Sequence, residues 1–221
     1  MQAKRMFTWV LVVMHLLIVL IMLPVLPAEV PMHFGFGGNI TRFGSKYEML
    51  ILPALTIIMG LTFPLMERSV IKHDGEKGVR NAKVLYWTNN TITLIFMTLT
   101  IMIAYLSYTE STGIDDGIGA MRIVAVCIGI SCIVIGNLLP KCKQNALIGI
   151  RTKWTLSSET SWYKTHRLGG KAMVIYGVLI VLLNLIILDG SVSLLVTAGG
   201  LLIVMIPLII YSHYVYKKEI R

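Results

Sequence analysis

The side chains of this chain that could carry out chemistry are concentrated in residues 148–170, IGIRTKWTLSSETSWYKTHRLGG. Within this segment Glu159, Trp162 and His166 recur at spacings of three and four residues, so they would share one face of a helix. A carboxylate and an imidazole on one face can exchange protons, because an unperturbed histidine titrates near neutral pH. The alternative is a histidine that only satisfies a hydrogen bond to Glu159 or to a backbone carbonyl.

Arg151, Thr152 and Trp154 come just before that helix and could form a site for an anion or a peptide. The alternative is that Trp154 and Trp162 lie in a membrane interface while Arg151 contacts lipid phosphate. We favour a functional cluster, because an interfacial helix needs no acid and imidazole on one face.

The helix that would position these side chains is predicted to begin at Ser157 or Ser158, since either hydroxyl can cap its first turn. Glu159 would then lie in that turn, where the positive end of the helix favours a carboxylate. The helix could continue directly into the next apolar stretch. Gly169 and Gly170 would allow either close helix packing or a bend at the membrane surface, and a bend would make them a hinge.

The rest of the chain is predominantly apolar: 56% of residues are hydrophobic, 14% are charged, and mean hydropathy is +0.76. A run of about 20 apolar residues crosses a bilayer as a helix. Six such runs predict an all-α, polytopic membrane protein with six transmembrane helices. They cover residues 6–26, 49–66, 91–108, 118–139, 171–188 and 191–211. Asn137 and Asn184, within these runs, are expected to form interhelical hydrogen bonds.

Basic residues are distributed unevenly between the connections. Of the 20 Lys and Arg residues, 17 lie at the termini or in residues 67–90 and 140–171. An excess of Lys and Arg marks cytoplasmic connections, so both termini and these two loops are predicted to be cytoplasmic. The net charge of +9 then reflects topology and contact with anionic lipid, and we expect no direct binding of nucleic acid.

The longest connection on the predicted outer side is LPAEVPMHFGFGGNITRFGSK, residues 26–46. Its prolines favour extended backbone and its glycines favour turns, which predicts an ordered loop rather than a helix. The loop could bind an external peptide, or it could only fold over the ends of the spans. The candidate contact residues are Pro31, His33, Phe34, Gly35, Gly38 and Lys46.

Several other kinds of site are not expected. The histidines outside the apolar runs fall on different loops and give no three-ligand set, so we predict no metal and no cofactor. The motifs of serine hydrolases, zinc proteases and P-loop enzymes are missing from the sequence, which favours a protein that is not an enzyme. The apolar runs also lack internal Asp and Glu, which argues against an ion-coupled pump.

Residues 137–170, NLLPKCKQNALIGIRTKWTLSSETSWYKTHRLGG, closely resemble the signature of the SdpI/YfhL family of Sdp-type bacterial immunity proteins. We call them the signature segment. The residues that this resemblance makes candidates for binding or signalling are Asn137, Pro140, Arg151, Thr152, Trp154, Thr155, Glu159, Trp162, Thr165, His166 and Arg167. Residues 26–46 resemble a DUF1648-like module that often precedes this domain. The resemblance thus predicts two units, residues 1–80 and 81–221.

The resemblance implies a multi-pass protein of a bacterial cell membrane, with a Gram-positive host expected. The best-understood member of the family protects its cell from a secreted peptide toxin and, when the toxin is present, holds a small ArsR-type repressor at the membrane, whereas many relatives have no known toxin partner. Our main hypothesis is therefore a toxin-binding receptor that senses outside and signals through the signature segment. The alternatives are a transporter of amphiphiles or lipids and, third, an interfacial enzyme that uses Arg151, Glu159 and His166.

Overall fold

The computed structural model describes residues 2–34, 40–112, 117–186 and 190–220, and most of them are helical. The elements are α1 (Gln2–Met22), β1 (Glu29–Phe34), β2 (Ile40–Ser45), α2 (Ile51–Thr112), α3 (Gly117–Leu138), α4 (Lys153–Ser157), α5 (Glu159–Ile186) and α6 (Gly190–Glu219). Short 3₁₀ turns at Lys46–Leu50 and Leu139–Lys141 precede α2 and follow α3.

Helix α2 is folded back on itself at Gly75, whose φ of 54° and ψ of −124° are not helical. Residues 51–74 and 76–112 form two antiparallel arms. The imidazole of His15 on α1 lies within hydrogen-bonding distance of Thr56 on the first arm (3.3 Å) and Thr100 on the second (2.9 Å). A straight helix would place these threonines more than 60 Å apart, at about 1.5 Å per residue. Gly75 supplies the positive φ that the reversal needs.

Five helices in the described part of the chain are long and apolar enough to cross a membrane, in agreement with a helical membrane protein. The two arms of α2 each contain one of the six predicted apolar runs, residues 49–66 and 91–108. The count of six spans and the cytoplasmic position of both termini stay predictions.

The predicted ordered loop is a two-stranded antiparallel hairpin. Strands β1 and β2 pair from Glu29 opposite Ser45 to Phe34 opposite Ile40, with irregular register on either side of His33. Ser45 then caps the turn into α2 together with Glu48, which accepts a bond from the Ser45 backbone N–H. The hairpin adds strands to a fold that was expected to be wholly helical.

Glycines bring α3 and α5 into close antiparallel contact. A Cβ atom on Gly170 would lie 2.6 Å from the carbonyl oxygen of Gly136, and one on Gly177 would lie 2.5 Å from that of Gly129. Glycines spaced seven residues apart on each helix thus form one seam, as small residues do between membrane helices. Since α5 stays helical through residues 169–170, Gly170 allows close packing and not a bend.

Two packing units meet along the second arm of α2. One side of this arm contributes Ala104 to a cluster with Val19 of α1 and Val30 of β1. The other side packs Met102 and Leu106 against Met121 and Val124 of α3. Helices α3, α5 and α6 form their own core around residues such as Cys132, Met173 and Leu208. The proposed boundary near residue 80 therefore falls beside the fold-back of α2, and the division into two units stays a prediction.

Candidate functional site

The signature segment folds into a compact loop between α3 and α5, organised by the amide of Asn145. Its Oδ1 accepts hydrogen bonds from the backbone N–H groups of Leu147 (2.7 Å) and Ile148 (2.9 Å). Its Nδ2 donates to the carbonyl of Lys143 at 2.7 Å. An asparagine that bonds the backbone two and three residues ahead stabilises a turn locally, so this loop is held by its own side chains.

Further bonds tie the loop to the neighbouring helices. The backbone N–H of Lys143 donates to Oδ1 of Asn81 on α2 at 2.8 Å. Nε1 of Trp162 on α5 donates to the carbonyl of Cys142 at 2.9 Å. Burial raises the pKa of the Cys142 thiol to about 11, so the thiol stays protonated and poorly nucleophilic at neutral pH. These contacts make the loop a fixed part of the helix bundle.

Trp162 and His166 form the centre of the site. Their rings stack with centroids 4.1 Å apart, and they are only 3% and 1% exposed. The N–H of Ile150 lies 3.0 Å from Nε2 of His166, and the carbonyl of Trp162 lies 2.8 Å from Nδ1. Nε2 must therefore accept and Nδ1 must donate, which fixes a neutral imidazole with its proton on Nδ1. Of the two alternatives for this histidine, the geometry matches the satisfied polar residue, bonded to a carbonyl and not to Glu159.

Gly149 lies directly against this ring pair. Its φ is +113°, a conformation that side-chain-bearing residues rarely adopt. A Cβ atom there would lie 2.4 Å from Nε2 of His166 and 3.1 Å from the ring of Trp162. The glycine of the Gly-Ile-Arg-Thr sequence is thus required both by backbone conformation and by space.

Helix α4 follows the loop and is attached to α6. The Thr152 hydroxyl accepts from the N–H of Thr155 at 3.1 Å and contacts the hydroxyl of Ser212 at 3.0 Å. Thr155 is buried and donates to the carbonyl of Ile150 at 2.8 Å. The ring of Trp154 stacks on His213 with centroids 4.6 Å apart. Both threonines and Trp154 therefore position α4 on α6.

The predicted helix start is confirmed at Ser158. Its hydroxyl accepts from the N–H of Ser161 at 2.9 Å, and α5 runs from Glu159 without a break into the apolar stretch. The same hydroxyl donates to the carboxylate of Glu219 near the end of α6.

The charged members of the segment lie on its exposed face. Glu159 pairs with Nζ of Lys77 at 2.5 Å, with side chains 70% and 56% exposed. Because both side chains are solvated, the pair adds little to stability. Arg151 is exposed, and Arg167 donates to the hydroxyl of Tyr163 at 3.2 Å. With His166 buried and Glu159 paired elsewhere, the three residues of the enzyme alternative do not converge.

Three further residues of the predicted site lie within the helices or beside them: Asn137, Pro140 and Thr165. Asn137 is exposed and donates to the carbonyl of Ile133 on its own helix, so the interhelical bond expected of it is wrong. Asn184 does accept an interhelical bond, from the hydroxyl of Ser193. Pro140 packs on Gly170, and Thr165 is buried with a hydroxyl that has no partner among the described residues.

The external candidates belong to the hairpin. Pro31 is buried in β1, while Nδ1 of His33 contacts the hydroxyl of Thr41 across the strands at 2.6 Å. Nζ of Lys46 donates to the carbonyl of Leu26 at 3.3 Å, which ties the hairpin base to the end of α1. The side chain of Phe34, together with Gly35 and Gly38, lies outside the described residues.

Some structurally central residues were not singled out from the sequence. Asn81, Asn145 and Gly149 hold the loop, and His15 joins α1 to both arms of α2. A single polar residue inside an apolar run, as His15 is, signals an interhelical contact and could have identified it. No comparable local signal marks Asn81, because its partner is 62 residues away.

Within the described ranges, no three His, Cys, Asp or Glu residues are placed to hold a metal ion. The signature segment presents an exposed charged face over an internally bonded loop, an arrangement that suits recognition of a partner.

Comparison with known proteins agrees with the resemblance seen in the sequence. Residues 141–212 match the SdpI/YfhL protein family, and residues 10–57 match DUF1648, a domain of unknown function. The chain is 26% identical over 215 residues to the immunity protein SdpI of Bacillus subtilis (strain 168), covering 97% of each protein. A stretch of 51 residues, 20% of this chain, is 49% identical to an uncharacterized protein of Archaeoglobus fulgidus, of which it covers 28%. No solved structure matches.

The apolar helices and the signature loop define a helical protein of the membrane, with a DUF1648 module ahead of the loop-bearing unit. Its residues 141–212 match the SdpI/YfhL family, in agreement with the resemblance of the signature segment.

Proposed function

We propose that this chain is a membrane immunity protein that protects its own cell from a secreted, membrane-active peptide. The observation that carries the proposal is the 26% identity to an immunity protein over 97% of both chains. Two matched families, in order along the chain, support it. Similarity to an immunity protein also favours binding over catalysis.

The toxin would bind where the hairpin meets the helices. An apolar cavity of about 420 Å³ lies there, lined by residues that include Met22, Leu26 and Ala104. The same three residues pack in the cluster around Val30 of β1. A peptide that acts on membranes must carry apolar side chains, and an apolar cavity beside a polar hairpin suits such a ligand.

The cytoplasmic partner, a small ArsR-type repressor by analogy with the family, would contact the exposed face that carries Arg151, Glu159 and Arg167. Toxin binding changes this face only if the toxin binds two conformations of the chain with different affinity. The continuous helices α5 and α6 join the two ends of the molecule and would be the elements that move.

A survival assay tests the proposal. The full chain is produced in a toxin-sensitive cell, and survival is measured beside two variants with equal amounts in the membrane. Arg151→Ala is expected to reduce protection or repressor capture, whereas Lys164→Ala, which removes another exposed positive charge, is expected to change neither. No protection by the unsubstituted chain would contradict the immunity role.

The amount of toxin in the membrane distinguishes binding from transport. Protection with unchanged membrane-associated toxin supports blocking or sequestration. A fall in that amount that depends on this chain would support the alternative, a transporter of amphiphiles.

A further inference from the structure

A second cavity lies at the opposite end of the α1–α2 unit from the hairpin. Its volume is about 230 Å³, and it is enclosed by the start of α1 and by both arms of α2 near their fold-back. Such a volume corresponds to about seven or eight water molecules at roughly 30 Å³ each. It can hold a small polar group and not a whole lipid or peptide.

The lining of this cavity is strongly basic. Arg5, Arg68 and Lys83 come from three different segments and converge on it. Glu67 is the acidic group among the described residues that line it. The excess of positive charge favours an anionic ligand, and arginine binds phosphate oxygens with two parallel hydrogen bonds.

A buried hydrogen-bond acceptor lies in the same lining. Asn89 is 2% exposed, and its Oδ1 has no hydrogen-bond partner among the described residues. A buried acceptor without a partner is unfavourable, so a ligand that donates a hydrogen bond would be favoured here.

Apolar residues form one wall of the cavity. Trp9 and Val79 line it and are themselves partly or largely exposed, and Pro64 and Ile71 complete an apolar wall. In a chain whose helices span a bilayer, this wall faces lipid chains while the basic lining lies at the polar boundary.

From this arrangement we infer that the cavity binds the headgroup of an anionic phospholipid whose headgroup carries hydroxyls, such as phosphatidylglycerol. The phosphate is bound by Arg5, Arg68 and Lys83. A headgroup hydroxyl donates to the amide oxygen of Asn89, and the acyl chains lie along the apolar wall outside.

Lipid binding to the purified full chain, measured by native mass spectrometry in detergent, tests the inference. Phosphatidylglycerol is compared with phosphatidic acid, which lacks the headgroup hydroxyls, and with phosphatidylcholine, which has no net charge. All three carry identical acyl chains. We expect phosphatidylglycerol to bind about tenfold more tightly than phosphatidylcholine.

Two variants test separately the basic residues that bind the phosphate and the asparagine that binds the hydroxyl. Arg68→Gln/Lys83→Gln is expected to weaken the binding of both anionic lipids about tenfold or more. Its control, Lys72→Gln/Arg80→Gln, removes the same charges from exposed residues of the same fold-back and is expected to weaken neither. Asn89→Leu is expected to weaken the binding of phosphatidylglycerol and to leave the binding of phosphatidic acid unchanged. It removes no internal bond of the amide oxygen, so thermal stability without lipid should not fall.

Three results would overturn the inference. The first is equal binding of phosphatidylglycerol and phosphatidylcholine. The second is equal weakening by the two double variants, which would indicate diffuse attraction to a basic surface. The third is displacement of phosphatidylglycerol by an equal concentration of glycerol 1-phosphate, which would indicate a site for a soluble phosphate ester.

Discussion

Gly149, Trp162 and His166 form one packed unit in which each residue limits the others. The stacked rings of Trp162 and His166 leave no room for a side chain at Gly149. The imidazole of His166 accepts a hydrogen bond from the backbone N–H of Ile150, the next residue after Gly149. Residues that the family signature suggested as functional are therefore first of all structural. The exposed charges around them remain available for recognition.

Replacing Gly149 by alanine tests this packing. Backbone strain at a φ of +113° alone costs about 1–3 kcal/mol, and the new methyl group would also displace His166. We expect a clear drop in thermal stability in detergent. Gly199→Ala is the matched control, because a Cβ there has nothing within 4 Å and alanine favours a helix by up to about 1 kcal/mol. Equal stability of the two variants would contradict the packing.

Replacing His166 by phenylalanine tests the hydrogen bond. The ring would still stack on Trp162, but the N–H of Ile150 would lose its acceptor, which costs about 1–3 kcal/mol. His166→Gln keeps an acceptor of similar reach and is expected to lose less stability. The melting temperatures of the two variants are compared. If His166→Phe is at least as stable as His166→Gln, the hydrogen bond from Ile150 contributes nothing to stability.

Among the helices, the glycine seam between α3 and α5 determines how closely the bundle packs. A valine at Gly170 would meet the Gly136 carbonyl and the ring of Pro140, and overpacking of this kind costs about 1–3 kcal/mol. We expect Gly170→Val to lower the melting temperature or the yield of folded protein, while Gly199→Val does not. Normal stability of Gly170→Val would mean that a Cβ at this position lies further than 2.6 Å from the Gly136 carbonyl oxygen.

Hydropathy and capping rules predicted the apolar helices, the start of α5 and the continuity of α5 into the membrane. They predicted a connection over residues 67–90, but not that the helix continues to a reversal at Gly75 or that residues 29–34 and 40–45 form strands, because neither feature has a periodic apolar pattern. The choice between packing and bending at Gly170 depended on Gly136, which lies on another helix. Local patterns specify elements, whereas contacts between distant segments specify how they join.

The same limit applies to the candidate site. The cap at Ser158 and the shared face of Trp162 and His166 follow from short spacings. The pairing of Glu159 with Lys77 and of Lys143 with Asn81 does not, because these contacts join residues 82 and 62 positions apart in the chain.

At the scale of the whole molecule, the basic connections gather at one end. Lys77 of the α2 fold-back pairs with Glu159, Asn81 bonds the signature loop, and Ser158 bonds Glu219 near the end of α6. Thr8 near the start of α1 bonds Asn90 of α2. The hairpin lies at the opposite end of α1. This arrangement agrees with a basic cytoplasmic end and an outer hairpin, and the proposed receptor role depends on it.

Labelling of single introduced cysteines in intact cells tests that arrangement most directly. Ser157 and Tyr47 are both exposed, one in α4 and one beside the hairpin. With a maleimide that cannot cross membranes, Tyr47→Cys should react in intact cells and Ser157→Cys only after permeabilisation, with the unsubstituted chain as background. Reaction of Ser157→Cys in intact cells would place the signature segment outside the cell and contradict the account.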